Sequence, residues 1–203
     1  ISVTMTPITP NSKIKYTTDG SEPTETSPEY TGPISLATTT VIKARAFSND
    51  HNTPPGFIHT ATYFINVNHT LPIVSVSGNQ ILTLLNGSQI KPIGHFELFV
   101  NGERVAHAGG DYNKHGNDSW AYQQRGLDYI TQDEFGYGNE VEYKIFRNKS
   151  RTGFQRLILK AGANDNYPFE NGGAHIRDPY VQSLSQIAGL RLDERTYEPC
   201  VLY

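Results

Sequence analysis

The feature that most constrains the fold of this chain is a series of short runs in which apolar and polar residues alternate. Between positions 41 and 47, for example, Ile42, Ala44 and Ala46 alternate with Lys43 and Arg45. A period of two places successive side chains on opposite faces of a β-strand. We therefore predict strands with one buried face and one solvated face, and a chain with little helix.

The composition favours the same fold class and excludes some partners. The chain has 18 Gly, 12 Pro, 12 Tyr and 9 Phe with a hydrophobic fraction of 36%, which is typical of strands joined by turns and ordered loops. The net charge is -3, and no basic cluster could follow a run of phosphates, so nucleic acid is not an expected partner. No run approaches the ~20 apolar residues of a membrane helix, so no transmembrane segment is predicted.

The first segment, residues 1–68, has the pattern of a small β-sandwich. Ile14, Tyr16 and Thr18 share one face of a predicted strand, and the Gly and Pro of residues 19–23 suit a turn. A second alternating run precedes residues 66–70, which have the composition of a linker. We therefore place a domain boundary near residue 70, with a second domain at 71–203.

Four stretches of this segment, residues 14–21, 23–24, 30–34 and 42–47, resemble the chitobiase/β-hexosaminidase C-terminal domain family. The resemblance implies an immunoglobulin-like sandwich that serves as an accessory module on secreted enzymes and surface proteins, without the glycosidase active site. Aromatic faces can stack on sugars, so a glycan is one partner to consider, although the alternation favours core packing instead. The tyrosines concerned are Tyr16, Tyr30 and Tyr63.

The second segment is predicted to be mixed α and β. Pro72 precedes an entry strand, and Asn101-Gly102 between two alternating runs predicts a hairpin. Residues 156–161 form a compact apolar run that we interpret as an interior strand. For the helix, Asp178 could be the N-cap and Gly189 the left-handed stop. Its apolar face, expected to pack on the sheet, comprises Val181, Leu184, Ile187 and Ala188.

Most of this segment resembles the CotH kinase family, in the stretches 71–75, 125–128, 154–165, 176–178 and 197–201. Its members resemble atypical protein kinases that transfer a phosphoryl group from ATP to Ser residues, so the resemblance implies ATP and Mg²⁺ as cofactors. It also implies metal-binding and catalytic carboxylates beyond residue 203. The fold class expected for residues 71–203 is therefore a partial, kinase-like α+β domain.

Five residues are candidates for a catalytic role. The family's basic strand after the Gly equivalent to Gly126 is replaced here by residues 127–136, so another cation would have to bind the nucleotide. Lys144 and Lys160 could do so, although such lysines are ordinarily surface groups. Arg177 and Asp178 match the family pattern, and a helix cap with a buried ion pair is the alternative for them. Asp165, at the end of a matching stretch, completes the set.

A polar stretch at residues 111–118 contains three candidate metal ligands, which are Asp111, Asn113 and Asp118. Their alternate spacing resembles the start of a calcium loop, but the twelfth position is Tyr122 instead of the required Glu. We therefore interpret the stretch as a polar loop. Trp120 beside it could be an exposed platform, but a buried anchor for the loop is favoured.

These expectations converge on part of a secreted or cell-surface bacterial multidomain protein. Its CotH-like domain would be an ATP-dependent Ser kinase in the full-length protein. The alternative is a non-catalytic adhesion, structural or glycan-binding module in an envelope complex. Other envelope or secreted proteins are the expected partners.

Overall fold

The computed structural model describes residues 1–50, 52–122, 124–162, 165, 176–190, 192 and 195–203. Within them the chain forms thirteen β-strands, two α-helices and two single turns of 3-10 helix. The predicted mainly β character is confirmed. Neither described α-helix has the length and apolar character needed to cross a membrane.

The first part of the chain forms two small sheets. Its strands are β1 (Ser2–Val3), β2 (Ser12–Thr17), β3 (Ile34–Ser35), β4 (Thr40–Ser48) and β5 (His59–Tyr63). β1 pairs with β3, and β2, β4 and β5 form an antiparallel sheet in that order. The predicted turn follows β2, where Gly20 has a φ of 80° and Asp19 Oδ1 accepts the Ser21 N–H at 3.0 Å. This arrangement is consistent with a small β-sandwich, and its immunoglobulin-like topology stays a prediction.

A six-stranded sheet dominates the second part. Its strand order is β12-β9-β8-β7-β6-β13, antiparallel except where β13 runs parallel to β6. The strands are β6 (Ile73–Ser77), β7 (Ile93–Val100), β8 (Glu103–His115), β9 (Gly126–Thr131), β12 (Arg156–Leu159) and β13 (Val201–Leu202). The remaining elements are the pair β10 (Val141–Glu142) and β11 (Gly153–Phe154), and the helices α1 (Ile81–Leu85) and α2 (Arg177–Ile187).

The predicted entry strand and hairpin are confirmed. β6 begins directly after Pro72, whose ring lies outside the strand where no ladder hydrogen bond is lost. Asn101 and Gly102 join β7 to β8 with φ angles of 53° and 83°. Both residues tolerate this left-handed conformation, which is why the pair is so strong a hairpin signal.

One face of the six-stranded sheet carries the main hydrophobic core. Tyr129 lies at its centre, with its ring 5.2 Å from that of Phe96 and 4.7 Å from that of Tyr112. Side chains from α1 and from the β10-β11 pair cover this face, including Ile81, Leu84, Val141 and Phe154. The described members of this cluster lie between residues 74 and 157. The division at residue 70 and the kinase-like topology of 71–203 stay predictions.

The predicted interior strand lies instead at the edge of the sheet. β12 pairs with β9 and is the last strand in the order. Only Leu157 of its four residues is buried, and Arg156 is exposed. The apolar run at residues 156–161 therefore wrongly indicated an interior strand. One buried side chain between charged ends is typical of an edge strand.

The predicted helix exists, but its N-cap and its packing differ from the prediction. α2 begins at Arg177 after Ile176, so Asp178 lies inside the first turn and does not cap it. Gly189 has a φ of 67° and ends the helix as predicted. The apolar face is not covered within the described residues: the exposed fractions of Val181, Leu184 and Ile187 are 63%, 47% and 84%.

The prediction of a solvated face on β4 is wrong at Lys43, whereas Arg45 on the same face is half-buried. Lys43 is only 4% exposed, and the neighbouring Thr60 and Thr62 of β5 are buried on the same face. The reason is that the three-stranded sheet packs against the six-stranded sheet through these polar side chains, so each strand face has a neighbour.

Candidate functional site

Four of the five predicted catalytic residues lie together where β12 ends and α2 begins. The Lys160 ammonium forms an ion pair with the Asp178 carboxylate. Asp165 Oδ2 accepts the backbone N–H of Arg177 at 2.9 Å, and its Oδ1 lies 3.2 Å from Arg177 Nε. We call these four residues the charged cluster. Lys144 is outside it and is exposed in the segment after β10.

The two ion pairs of the charged cluster differ in exposure. Asp165 is 5% exposed, and it supplies the acceptor for an N–H at the start of α2 that no residue of the helix could satisfy. It therefore replaces Asp178 in the capping role. The outer pair is open to solvent, since the side chains of Lys160 and Asp178 are 38% and 62% exposed. A ligand can therefore reach the outer pair and the Arg177 guanidinium, whose side chain is 57% exposed, but not the Asp165 carboxylate.

Two of the three candidate metal ligands lie on a strand, so the polar-loop interpretation is wrong for residues 111–115. Asp111 and Asn113 belong to β8 and pair with β9, and Gly116 makes the turn that follows with a φ of 88°. Asp111 Oδ2 accepts from Gln132 Nε2 at 2.9 Å. The side chain of Asp118 lies outside the described part of the structure. Among the described residues no three His, Cys, Asp or Glu side chains are grouped to hold a metal ion.

Trp120 is the buried anchor that was predicted. Its exposed fraction is 8%, and its indole Nε1 donates to the His115 carbonyl oxygen at 2.9 Å. The guanidinium of Arg125 lies 5.3 Å from the ring centroid, within the range of a cation–π contact. The indole therefore fixes the loop after β8.

The three tyrosines considered for glycan stacking, Tyr16, Tyr30 and Tyr63, are all half-buried.

A second polar site, which the sequence did not predict, lies between the two large sheets. We call it the polar joint. It holds a fully buried carboxylate, a buried ammonium, a buried imidazole and several hydroxyl groups from both parts of the chain. Its members are Lys43, Thr60, Thr62, Ser75, Ser77, His95, Glu97, Arg104, His107 and Tyr137.

Glu97 is the centre of the joint, with no measurable exposure. Its Oε1 accepts from Arg104 Nη1 at 2.8 Å and from the Thr62 N–H at 3.2 Å. Its Oε2 accepts from Thr62 Oγ1 at 2.5 Å, and the same hydroxyl lies 2.8 Å from Ser75 Oγ. A buried carboxylate is tolerated only when its oxygens are satisfied in this way.

Residues 1–57 match the family model described as Chitobiase/beta-hexosaminidase C-terminal domain. This confirms the resemblance predicted for the first segment. No curated protein and no solved structure matches the chain. The matched region ends just before β5, which completes the three-stranded sheet and carries the threonines of the joint.

The joint therefore connects the three-stranded sheet to the six-stranded sheet. The outward N–H groups of β5 donate to the second part of the chain, from Thr62 to Glu97 and from Thr60 to the Tyr137 hydroxyl at 3.1 Å. The Tyr137 hydroxyl in turn donates to the Ile58 carbonyl at 3.0 Å. These contacts cover the free edge of β5, which would otherwise be an unpaired edge strand.

Burial sets the protonation of the joint. It lowers the pKa of His95 to about 2, with nearby positive charges as the smaller cause. Burial also lowers the pKa of Lys43, against the attraction of Glu22 and Asp19. The His107 pKa is lowered for the same reason, although this ring lies at the open rim. His95 is therefore neutral in the closed joint.

The joint could not be recognised in the sequence because its polar residues alternate in the same way as those of a solvent-exposed strand face. Three strands carry polar residues at every second position: Thr60 and Thr62, Ser75 and Ser77, and His95 and Glu97. A polar face buried against another polar face has the same period as one in water. The available signal was His95 and Glu97 in the strand that also carries the predicted run Phe96, Leu98 and Val100.

Proposed function

We propose that residues 71–203 take part in phosphoryl transfer from ATP to Ser side chains, as a CotH-like domain of a secreted or cell-surface protein. The observation that carries this proposal is the Lys160–Asp178 pair, which joins the end of a strand to the first turn of a helix. Protein kinases use such a strand lysine, held by a helical acid, to bind nucleotide phosphates. The stretches that resemble the family include all four residues of the charged cluster.

The charged cluster fits the phosphate groups of ATP better than it fits Mg²⁺. The half-exposed Lys160 ammonium can donate to a phosphate oxygen while Asp178 orients it. Asp165 is buried and held by Arg177, so we assign it a structural role at the start of α2. No metal ligand is assigned, because both carboxylates are already paired with cations. ATP would supply the transferred phosphoryl group.

The proposal predicts that full-length protein with Mg²⁺ and γ-labelled ATP transfers label to itself or to a Ser-rich acceptor. The Lys160→Met variant should lose at least about tenfold of this transfer and should bind ATP more weakly, because an ion-pairing phosphate contact is removed. The readouts are label incorporation and the ATP-dependent shift in melting temperature.

Lys91→Met is the matched control, since Lys91 is an exposed lysine far from the cluster in sequence. It should behave like the wild type in both assays. If wild-type protein neither transfers label nor melts at a higher temperature with ATP, the enzymatic proposal is wrong. If Lys160→Met transfers normally, the cluster is not the nucleotide site.

A second candidate function, a non-catalytic contact module in an envelope complex, is favoured by the surface around α2. The exposed side chains of Val181, Leu184 and Ile187 form an apolar patch of the kind that marks interaction sites. A cleft of about 300 Å³ adjoins the helix, with the half-exposed Tyr197 in its wall. Another envelope protein or a glycan would be the partner.

This alternative predicts that the full-length protein co-purifies with another envelope component. Ile187→Ser, which alters a side chain that is 84% exposed, should weaken the association at least about fivefold. Ile8→Ser is the control, because Ile8 is 93% exposed in the first unit. A protein that always elutes alone, and binds no glycan, would count against a contact role.

A further inference from the structure

His95 lies between the two large sheets and is surrounded by groups that can carry positive charge. β4 contributes Lys43, β5 contributes His59, and β8 contributes Arg104 and His107. The imidazole centroid is 5.6 Å from that of His107 and 4.6 Å from the Tyr137 ring. The carboxylates that face this group are Glu97, on the same strand as His95, and Glu22 and Asp19, which act on Lys43.

Glu97 is not available to balance the positive charge of a protonated His95. Glu97 already accepts from Arg104 and twice from Thr62. Glu97 is paired with Arg104, and Glu22 and Asp19 act on Lys43, so these carboxylates face other cations before any histidine is protonated. His95 Nε2 is buried and has no hydrogen-bond partner among the described residues, and the same holds for Ser77 Oγ beside it. A proton on Nε2 would therefore be buried without an acceptor.

We propose that the polar joint is an acid-sensitive clasp, in which proton uptake by His95 separates the three-stranded sheet from the six-stranded sheet. The hydrogen bonds broken on opening include those that Thr60 and Thr62 donate to Tyr137 and Glu97. Opening exposes the His95 ring to water, where the imidazolium is solvated and its neighbours are screened.

The pH range follows from the difference between the closed and open states. The pKa of His95 is about 2 in the closed joint, against 6.5 for an ordinary histidine. The closed state is therefore fully favoured above pH 6.5 and loses stability as the pH falls from 6.5 towards 2. Each pH unit in that range raises the opening constant by about tenfold. His107, whose pKa is lowered in the same direction, adds to this slope.

Hydrogen exchange of full-length protein tests the clasp, because the Thr60 and Thr62 amides donate to the opposite unit. After correction for intrinsic exchange rates, we expect their protection to fall about 100-fold over two pH units below 6.5. The amides of β9 should stay protected. Constant protection of β5, or an equal loss in β9, would overturn the proposal.

His95→Gln removes the proton acceptor and should flatten this pH dependence. His69→Gln is the control, since His69 is an exposed histidine near the linker, and it should keep the full dependence. Imidazole resonances of wild-type protein give an independent readout that does not require a variant to fold. The His95 ring should stay neutral in the closed state below pH 6, and a normal titration near 6.5 would contradict the clasp.

Discussion

Replacing Glu97 by Ala is expected to lower the free energy of unfolding by about 3 kcal/mol. The change removes the acceptor of the Thr62 N–H, leaves the Thr62 hydroxyl with Ser75 Oγ as its remaining partner, and deprives the Arg104 guanidinium of its carboxylate. Buried donors without acceptors are costly because they have also lost water. Urea denaturation of the full-length protein, followed by circular dichroism, measures the difference.

Two further variants separate charge from shape. Glu97→Gln keeps one of the two oxygens to which Thr62 donates and removes the charge that Arg104 faces, so its loss should be smaller than that of Glu97→Ala. Glu103→Ala, on the same hairpin, changes an exposed side chain and should stay within about 0.5 kcal/mol of the wild type. If Glu97→Ala unfolds at the same urea concentration as Glu103→Ala, the joint does not hold the sheets together.

The strands of this protein could be predicted where the signal is local. Asn101-Gly102 specifies the hairpin by itself, because both residues accept a positive φ and the flanking runs alternate. Gly189 ends α2 for the same kind of reason. In each case the residues that determine the structure are adjacent in sequence, and no distant partner is needed.

The polar joint could not be predicted because its partners are distant in sequence. Thr62 and Glu97 are 35 positions apart, and Lys43 gives no indication that another sheet covers it. Alternation predicts that a strand has two different faces, but it does not say whether the polar face meets water or protein. This is why Lys43 was predicted to be solvated and is in fact buried.

For the charged cluster, the residues could be predicted but their pairing could not. Its residues were chosen from a family pattern, and the described structure brings four of the five together. Their partners were not predictable, because Asp165 reaches the start of α2 from 12 positions earlier. A local capping rule therefore selected the adjacent Asp178, which instead pairs with Lys160.

Replacing Gly110 by Ala is expected to destabilise the six-stranded sheet by about 3 kcal/mol or more. A methyl group here would lie in contact with the Ile130 carbonyl oxygen and 3.0 Å from Thr131 Cα, both in the backbone of β9. Backbone atoms cannot rotate away as a side chain can, and moving β9 would break its pairing with β8 and shift Tyr129 in the core. Loss of soluble protein, or a much lower urea midpoint, is the expected measurement.

Gly138→Ala is the matched control, because no atom lies within 4 Å of its added methyl group. Its free energy of unfolding should stay within about 0.5 kcal/mol of the wild type. The comparison separates a steric requirement for Gly110 from the general effect of replacing glycine with a less flexible residue. Equal stability of the two variants would mean that β8 and β9 can move apart at Gly110 without a loss of stability, and it would contradict the steric requirement.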